Sequence, residues 1–433
     1  MRLLKGTVFC SFFFTSHHPS NMFRTMTDKI GSHFQVHQKD YLSHLSDSPI
    51  SPSIASTQSS YVTSILPHYD HRGSFSTART SFSELSKRGD SLDCILEGRE
   101  RSRASYRLDD FIINRTLGTG SFGRVHLVRS KHNLRFYAIK VLNKQRIVRS
   151  KQVEHTNNEQ AMLFSVKHPF IINLWGTFQD HTNLYMVMDF VPGGELFTLI
   201  RRSNVNKFPD PVAKFYAAEV ALALNHLHSQ DIIYRDLKPE NILLNADGHI
   251  KIADFGFAKS CTSVAYTLCG TPDYLAPELC QQLRYNKSVD WYALGVLAFE
   301  MLTGLPPYHQ PDANPVVLYE KIIAGPTNIR WPSVITDNAK DIIMKLMEVD
   351  PSKRFGNMRN GSGDVFSHPW FREVDWEKLA MREITAPYQP TIEGEGDARA
   401  FDRYPEDNVA ASYGLPGPDP YGYEFPEFTY AHR

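Results

Sequence analysis

Between Val289 and Leu302 the chain carries its longest apolar run outside the first few residues, interrupted by Asp290 and Glu300. Two carboxylates within so short a stretch argue against a membrane span. At 3.6 residues per turn, Val289 to Met301 is apolar on nearly every side. That pattern predicts a central helix enclosed by other elements, with Gly304 as its stop. A chain of 433 residues has enough length to enclose it, and suits two or three structural units rather than one core.

Residues 1 to about 106 are rich in Ser, Thr and His and poor in periodic apolar positions, so this extension is expected to be disordered. Arg2 and Lys5 before the apolar run Val8 to Phe14 loosely imitate a signal peptide. The run is short, however, and Thr15-Ser16-His17-His18 offers no small-residue cleavage site. Arg2 excludes N-myristoylation for this start site, and no membrane anchor is expected. Five cysteines without CxxC spacing fit reduced thiols in a cytosolic compartment. Formal net charge is zero, so no global field points to nucleic acid.

Folded texture begins near Phe111. Strands are predicted over Phe111 to Leu117, Arg124 to Val128 and Phe136 to Leu142, then a helix over Val153 to Leu163 and two more strands up to Met188. After Pro192-Gly193-Gly194 the texture turns helical. Asp210 reads as an N-cap with Pro211 at N1, opening a helix with Phe215, Ala218 and Leu222 on one face. The fold class is therefore α+β, a small β-rich lobe followed by a larger helical one. Beyond Phe371 the chain reads as an extended strap that docks through scattered aromatics.

The chemistry lies in four separated motifs. Gly118-Thr119-Gly120-Ser121-Phe122-Gly123 joins two strands, and glycines there let backbone N–H groups approach phosphate oxygens. Ala138 and Lys140 share a face of the third strand, so a small residue can roof a flat base while the lysine reaches phosphates. Glu159 on the next helix is the natural counter-ion for Lys140. The sequence YRDLKPEN (234–241) and then DFG (254–256) supply a carboxylate, Asp236, and the hard oxygen donors Asn241 and Asp254. Phosphoryl transfer asks for that combination: an acceptor for a hydroxyl proton and oxygen ligands for Mg²⁺.

Over residues 111–371 the chain resembles the eukaryotic protein kinases in motif order and spacing. Within them it is similar to the catalytic subunits of cyclic-AMP-dependent protein kinase, of AGC type. The likeness rests on LGTGSFGRVHLV, VEHTNNEQ, YRDLKPEN, DFGFAK, YTLCGTPDYLAPE and YNKSVDW, with FDRY and Phe425-Pro426-Glu427-Phe428 in the tail. It implies a bilobal kinase domain over 107–371, with the N-lobe to about 188 and the C-lobe from about 192. The extension 1–106 precedes it, and a C-terminal tail over 372–433 is strapped across the lobes.

The resemblance also implies roles. ATP and Mg²⁺ are the expected cofactors, with Lys140 on the α- and β-phosphates, Glu159 its partner, Asp236 the catalytic base and Lys238 on the γ-phosphate. Asn241 and Asp254 would hold magnesium. Met188 would be the gatekeeper, the backbone of Asp189 and Val191 would read adenine, and Leu117, Val125, Ala138 and Leu243 would sandwich it, with Glu195 at the rim. Leu163, Leu174, Tyr234 and Phe255 would form a column between the lobes, footed on Asp290, and Glu278 would pair with Arg354.

For substrates, Glu195 would hold the arginine three before the phosphoacceptor. Glu240 and Glu300 would share the arginine two before it, with Asp273 adding longer-range attraction. Leu268, Pro272 and Leu275 would receive the residue after the phosphoacceptor. Thr267 would be the activating phosphosite, met by Arg235, His155 and Lys259 and modified by an upstream kinase. The implied partner is a cyclic-AMP-binding regulatory subunit in an inhibited heterotetramer. The implied location is the cytoplasm, with entry to the nucleus once released.

Lys238 follows Asp236 by two positions, as in serine/threonine kinases, and that resemblance disfavours tyrosine substrates. A pseudokinase scaffold would normally lack one of Lys140, Asp236 or Asp254, and all three are present. A third reading makes the serine-rich extension a targeting module. Three departures from the family stand out: Tyr234 where most kinases have His, Ala253 in place of a hydroxyl residue, and Thr429 to Arg433 after Phe428.

Overall fold

The first three strands are mostly buried or half-buried, with three buried residues in a row on the second and on the third, and they set the architecture of the smaller lobe. The computed structural model describes residues 106–203, 206–260, 269–309, 314–406 and 413–431. Strands β1 (Phe111–Thr119), β2 (Gly123–Ser130), β3 (Phe136–Asn143), β4 (Leu174–Gln179) and β5 (Asn183–Asp189) form an antiparallel sheet in the order β1-β2-β3-β5-β4. Helices α1 (Lys144–Arg149) and α2 (Val153–Ser165) come between β3 and β4 in the chain. The expected small lobe is therefore present, with one short helix more than the sequence pattern suggested.

The larger lobe is built on α3 (Leu196–Arg202), α4 (Asp210–Ser229), α5 (Pro277–Cys280), α6 (Ser288–Thr303), α7 (Pro315–Ala324) and α8 (Asp337–Leu346). Every residue from Ser288 to Leu302 in α6 is buried, and Gly304 ends the helix in the left-handed conformation at φ 90°. The enclosed central helix forms as its composition requires.

Helix α4 departs from expectation in two ways. Its N-cap is Pro209, and Asp210 is already helical. The Asp210 carboxylate instead accepts hydrogen bonds from Thr336 Oγ1 (3.2 Å) and Trp370 Nε1 (3.1 Å), partners too distant in sequence for local capping rules to anticipate. Phe215 is only partly buried, while Tyr216 to Leu224 are buried without a break, because α6 packs along this helix as a second layer.

Short strands β6 (Ile232–Ile233), β7 (Ile242–Leu244), β8 (Ile250–Ile252) and β9 (Lys259–Ser260) pair as β6 with β9 and β7 with β8. They present the segments that carry Asp236, Asn241 and Asp254.

The tail docks on the smaller lobe. Phe425 and Phe428 are fully buried, and β10 (Tyr430–Ala431) adds a sixth strand beside β4. Tail carbonyls accept from Asn157 Nδ2, Gln160 Nε2 and Gln179 Nε2. Lys144, with no exposed side-chain surface, pairs with tail residue Asp419 at 2.6 Å. Among the described residues no helix is long and apolar enough to cross a membrane, and Cys269 and Cys280 are buried thiols outside any disulfide. Residues 1–105 of the N-terminal extension, Thr267 and Leu268 lie outside the described residues.

Candidate active site

The Gly-rich turn shows which glycine is needed for which reason. A Cβ on Gly123 would lie 1.7 Å from the Val141 carbonyl, so β2 can approach β3 only with glycine there. Gly118 meets nothing within 4 Å, and Gly120 touches only the Gly123 carbonyl at 4.0 Å. The Gly120 N–H donates to the Gly123 carbonyl at 2.9 Å, which closes the tip of the turn. Thr119, Gly120 and Ser121 are exposed at the tip, while the Phe122 carbonyl accepts from Asn143 N and ties the tip back to β3.

Beneath this turn, Leu117, Leu127 and Ala138 form an apolar cluster with Val125 packed against it. Ala138 lies directly across from Met188 in the β3–β5 ladder. The Asp189 carboxylate is occupied by Trp175 Nε1 (2.8 Å), Asn173 N (3.1 Å) and Lys251 Nζ (3.2 Å), and its own N–H bonds Asn173 O. These bonds staple the segment between the lobes, so its backbone is held in place before a base arrives. Val191 is buried, and Glu195, at the N-cap position of α3 without a side-chain cap bond, forms a backbone bridge to Leu243.

Lys140 Nζ lies 2.5 Å from Glu159 Oε1 and 3.7 Å from Asp254 Oδ1. Burial alone would lower the lysine's pKa, yet Glu159 and Asp254 together raise it above its usual range. Lys140 in turn holds the Asp254 carboxyl below the usual carboxylate range. Asp254 (φ 58°) and Arg235 (φ 69°) both adopt the left-handed backbone region, uncommon for such residues and typical of sites where side-chain aim matters more than local comfort.

Asp236 is nearly enclosed. Burial raises its pKa, opposed by Lys238, whose Nζ lies 2.9 Å from Asp236 Oδ2. Asn241 Nδ2 donates to Asp236 Oδ2 (2.7 Å) and to its carbonyl (2.9 Å), so the amide oxygen of Asn241 is turned away from that pair. Thr271 was not singled out in the sequence, yet its hydroxyl accepts from Lys238 Nζ (3.0 Å) and donates to Asp236 Oδ1 (3.2 Å). Its one sequence signal is its place between Gly270 and Pro272, in a motif read for other positions.

Among the described residues no three His, Cys, Asp or Glu side chains form a ready metal cage. The oxygen donors of Asn241 and Asp254 nonetheless fit magnesium, which keeps waters and shares phosphate oxygens rather than using an all-protein cage.

The column residues Leu163, Leu174, Tyr234 and Phe255 are all buried in one core, with the Tyr234 and Phe255 rings 5.2 Å apart. At its foot, Asp290 accepts from Tyr234 N (2.9 Å), Arg235 N (2.8 Å) and His228 Nε2 (2.8 Å). Glu278 and Arg354 form a buried two-bond pair at 2.6 and 2.9 Å. The Arg235 guanidinium bonds the Phe257 carbonyl and Tyr285 hydroxyl, while Lys259 sits in β9 and His155 on α2.

At the mouth of the cleft, Glu300 is only 3% exposed, and burial pushes its carboxyl up to about 7. Two partners escaped the sequence reading: the Tyr274 hydroxyl donates to Glu300, and Arg201 approaches it at 3.5 Å. Burial also raises the carboxyls of Glu240 and Asp273, and His309 lies 3.8 Å from Asp273. Pro272 is exposed, and Leu275 is buried beside Gly270.

A two-lobed fold with these motifs facing one cleft defines a protein kinase, and the protein kinase domain family matches residues 111–371. The chain belongs to that family. Within it the chain is of the cyclic-AMP-dependent catalytic-subunit type. It is 57% identical over 328 residues to a cAMP-dependent protein kinase catalytic subunit of Arthrobotrys oligospora, covering 76% of this chain and 62% of that protein. It is 58% identical over 328 residues to cAMP-dependent protein kinase type 3 of Saccharomyces cerevisiae, covering 76% and 80%. It is 48% identical over 314 residues to the human cAMP-dependent protein kinase catalytic subunit PRKX, covering 72% and 86%. Thus the chain spans under two thirds of the fungal relative given first and most of the other two.

Proposed function

We propose that this chain transfers the γ-phosphate of ATP to serine and threonine hydroxyls in Arg-Arg-x-Ser/Thr-like protein substrates. The observation that carries this reading is the Asp236 carboxylate, held between Lys238, Thr271 and Asn241. A hydroxyl seated there can give its proton to Asp236 as its oxygen bonds the γ-phosphorus. The bond from that phosphorus to the bridging oxygen breaks, and ADP leaves with the electron pair. Lys140, kept cationic by Glu159, orients the α- and β-phosphates, and Lys238 stabilises charge on the transferred group. Asn241 and Asp254 would hold magnesium, which neutralises phosphate charge.

Adenine would lie between Ala138, Val125 and Leu117 on one side and Leu243 on the other, reading the backbone of Asp189 and Val191. Glu195 would take the arginine three before the phosphoacceptor, and Glu240 and Glu300 the one two before it. An inhibitory cyclic-AMP-binding regulatory subunit would fill the same groove, and an upstream kinase would modify Thr267. The reading is tested by incubating purified protein with ATP and an Arg-Arg-x-Ser peptide, with and without such a regulatory subunit. Phosphorylation that the subunit stops and cyclic AMP restores is the expected result. Equal activity on a peptide with both arginines replaced would refute the specificity.

A further inference from the structure

Thr116 and His126 face each other across the β1–β2 ladder, at the root of the Gly118–Gly123 turn. Both are polar and almost without exposed surface, at 0% and 2%. Buried polar groups persist where their hydrogen bonds are met, and here the tail meets them. Glu406 accepts from Thr116 N (2.6 Å) and from Thr116 Oγ1 (2.8 Å), while His126 Nε2 lies 3.1 Å from the Tyr413 hydroxyl.

The proton count fixes the direction of the chain of bonds. The single hydroxyl proton of Thr116 goes to Glu406, so at the 3.3 Å contact with His126 Nδ1 the threonine oxygen must accept. His126 therefore carries its proton on Nδ1, and Nε2 is left to accept from Tyr413 O–H. Burial holds the imidazole below its usual range, in keeping with a neutral ring of that tautomer.

The tail residues on either side of this link pack on opposite faces of the sheet. Ala398 and Phe401 join the Leu117–Ala138 cluster on the nucleotide side, whereas Tyr413 packs on the outer cluster with Tyr185 and Ile139. Arg115 further bonds the Ala398 and Asp402 carbonyls. Strand alternation turns Leu117 and Val125, neighbours of Thr116 and His126, to the nucleotide side.

We propose that His126 is a positioning residue for nucleotide binding. By joining Thr116 to Tyr413 it ties a tail residue to the root of the Gly-rich turn and fixes the roof of the adenine recess. This rests on the reading of that recess as an ATP site.

The test is steady-state kinetics on the full chain, alongside calorimetric ADP binding. His126→Phe keeps the ring and removes both nitrogens. It is expected to raise the KM for ATP roughly fivefold to tenfold, the scale of lost buried hydrogen bonds, with kcat and the peptide KM within about twofold. Tyr413→Phe, which alters only the tail, should shift the same constant in the same direction and serves if His126→Phe does not fold. The double variant should be no worse than the worse single one, because both break one link. An unchanged KM for ATP, additive losses, or a common fall in kcat and both affinities would overturn the proposal. Wild-type protein that binds no ADP would instead overturn the ATP reading, and this proposal with it.

Discussion

The two acidic clusters of the cleft differ in how their charge is held. Around the catalytic centre, Lys140 lies between Glu159 and Asp254, while Lys238 serves Asp236 directly. Each acid there has a lysine within reach before any ligand arrives. At the mouth, Glu240, Asp273 and Glu300 are all raised by burial; Glu300 accepts from the Tyr274 hydroxyl and lies 3.5 Å from Arg201, and Asp273 lies 3.8 Å from His309. The first cluster is organised in advance for one reaction. The second holds carboxylates whose lost hydration is only partly replaced, and an arginine side chain would complete it.

The contrast breaks most clearly at Asp236. Replacing it by Asn removes the proposed proton acceptor and leaves the Lys140 ion pairs in place. kcat should fall by a factor on the order of 10²–10⁴, with ADP binding within about twofold, measured by peptide phosphorylation and calorimetry. A kcat within about tenfold of wild type would remove Asp236 from the chemistry.

Glu300→Gln should act on the substrate instead. Truncating one partner of a desolvated charge pair costs about 2–5 kcal/mol, so kcat/KM on an Arg-Arg-x-Ser peptide should drop roughly 30-fold or more. The loss should be far smaller on a peptide whose second arginine is already alanine. Equal losses on both would mean that Glu300 supports the fold rather than reads the peptide.

The same residue gives a pH signature. Its carboxyl is raised from 4.5 to about 7, so below about pH 7 the free protein favours the neutral form, and a contribution to stability that is full below about 4.5 is lost as pH rises through about 7. Arginine needs the ionised form. Peptide kcat/KM should therefore rise several-fold between roughly pH 6 and 8 in the wild type and rise less in Glu300→Gln. Parallel profiles would place the titration elsewhere. Smallest of all, Asp273→Asn should cost about twofold to threefold on the same peptide, because Asp273 is partly exposed and screened by salt.

Much of the catalytic centre was legible because each of its residues sits in a short local pattern: a turn, a strand alternation, a loop of fixed spacing. Lys140, Glu159, Asp236, Asn241 and Asp254 were all readable in that way. What escaped has no local pattern. Arg201 meets Glu300 across 99 positions, and Glu406 reaches Thr116 across 290. Tyr274 was not singled out, and Asp210 read as an ordinary cap. Long-range partners of this kind are decided by how elements pack, which composition and periodicity do not encode.

Lys144 adds a consequence in time. Its amine is sealed inside the smaller lobe, and the acid that neutralises it, Asp419, lies 275 positions further along the chain. Breaking a buried pair by removing one partner typically costs about 3–5 kcal/mol. At about 5–20 residues per second, the ribosome needs tens of seconds between the two. During that interval the smaller lobe must wait, one charge short, for a stretch of chain made 275 positions later.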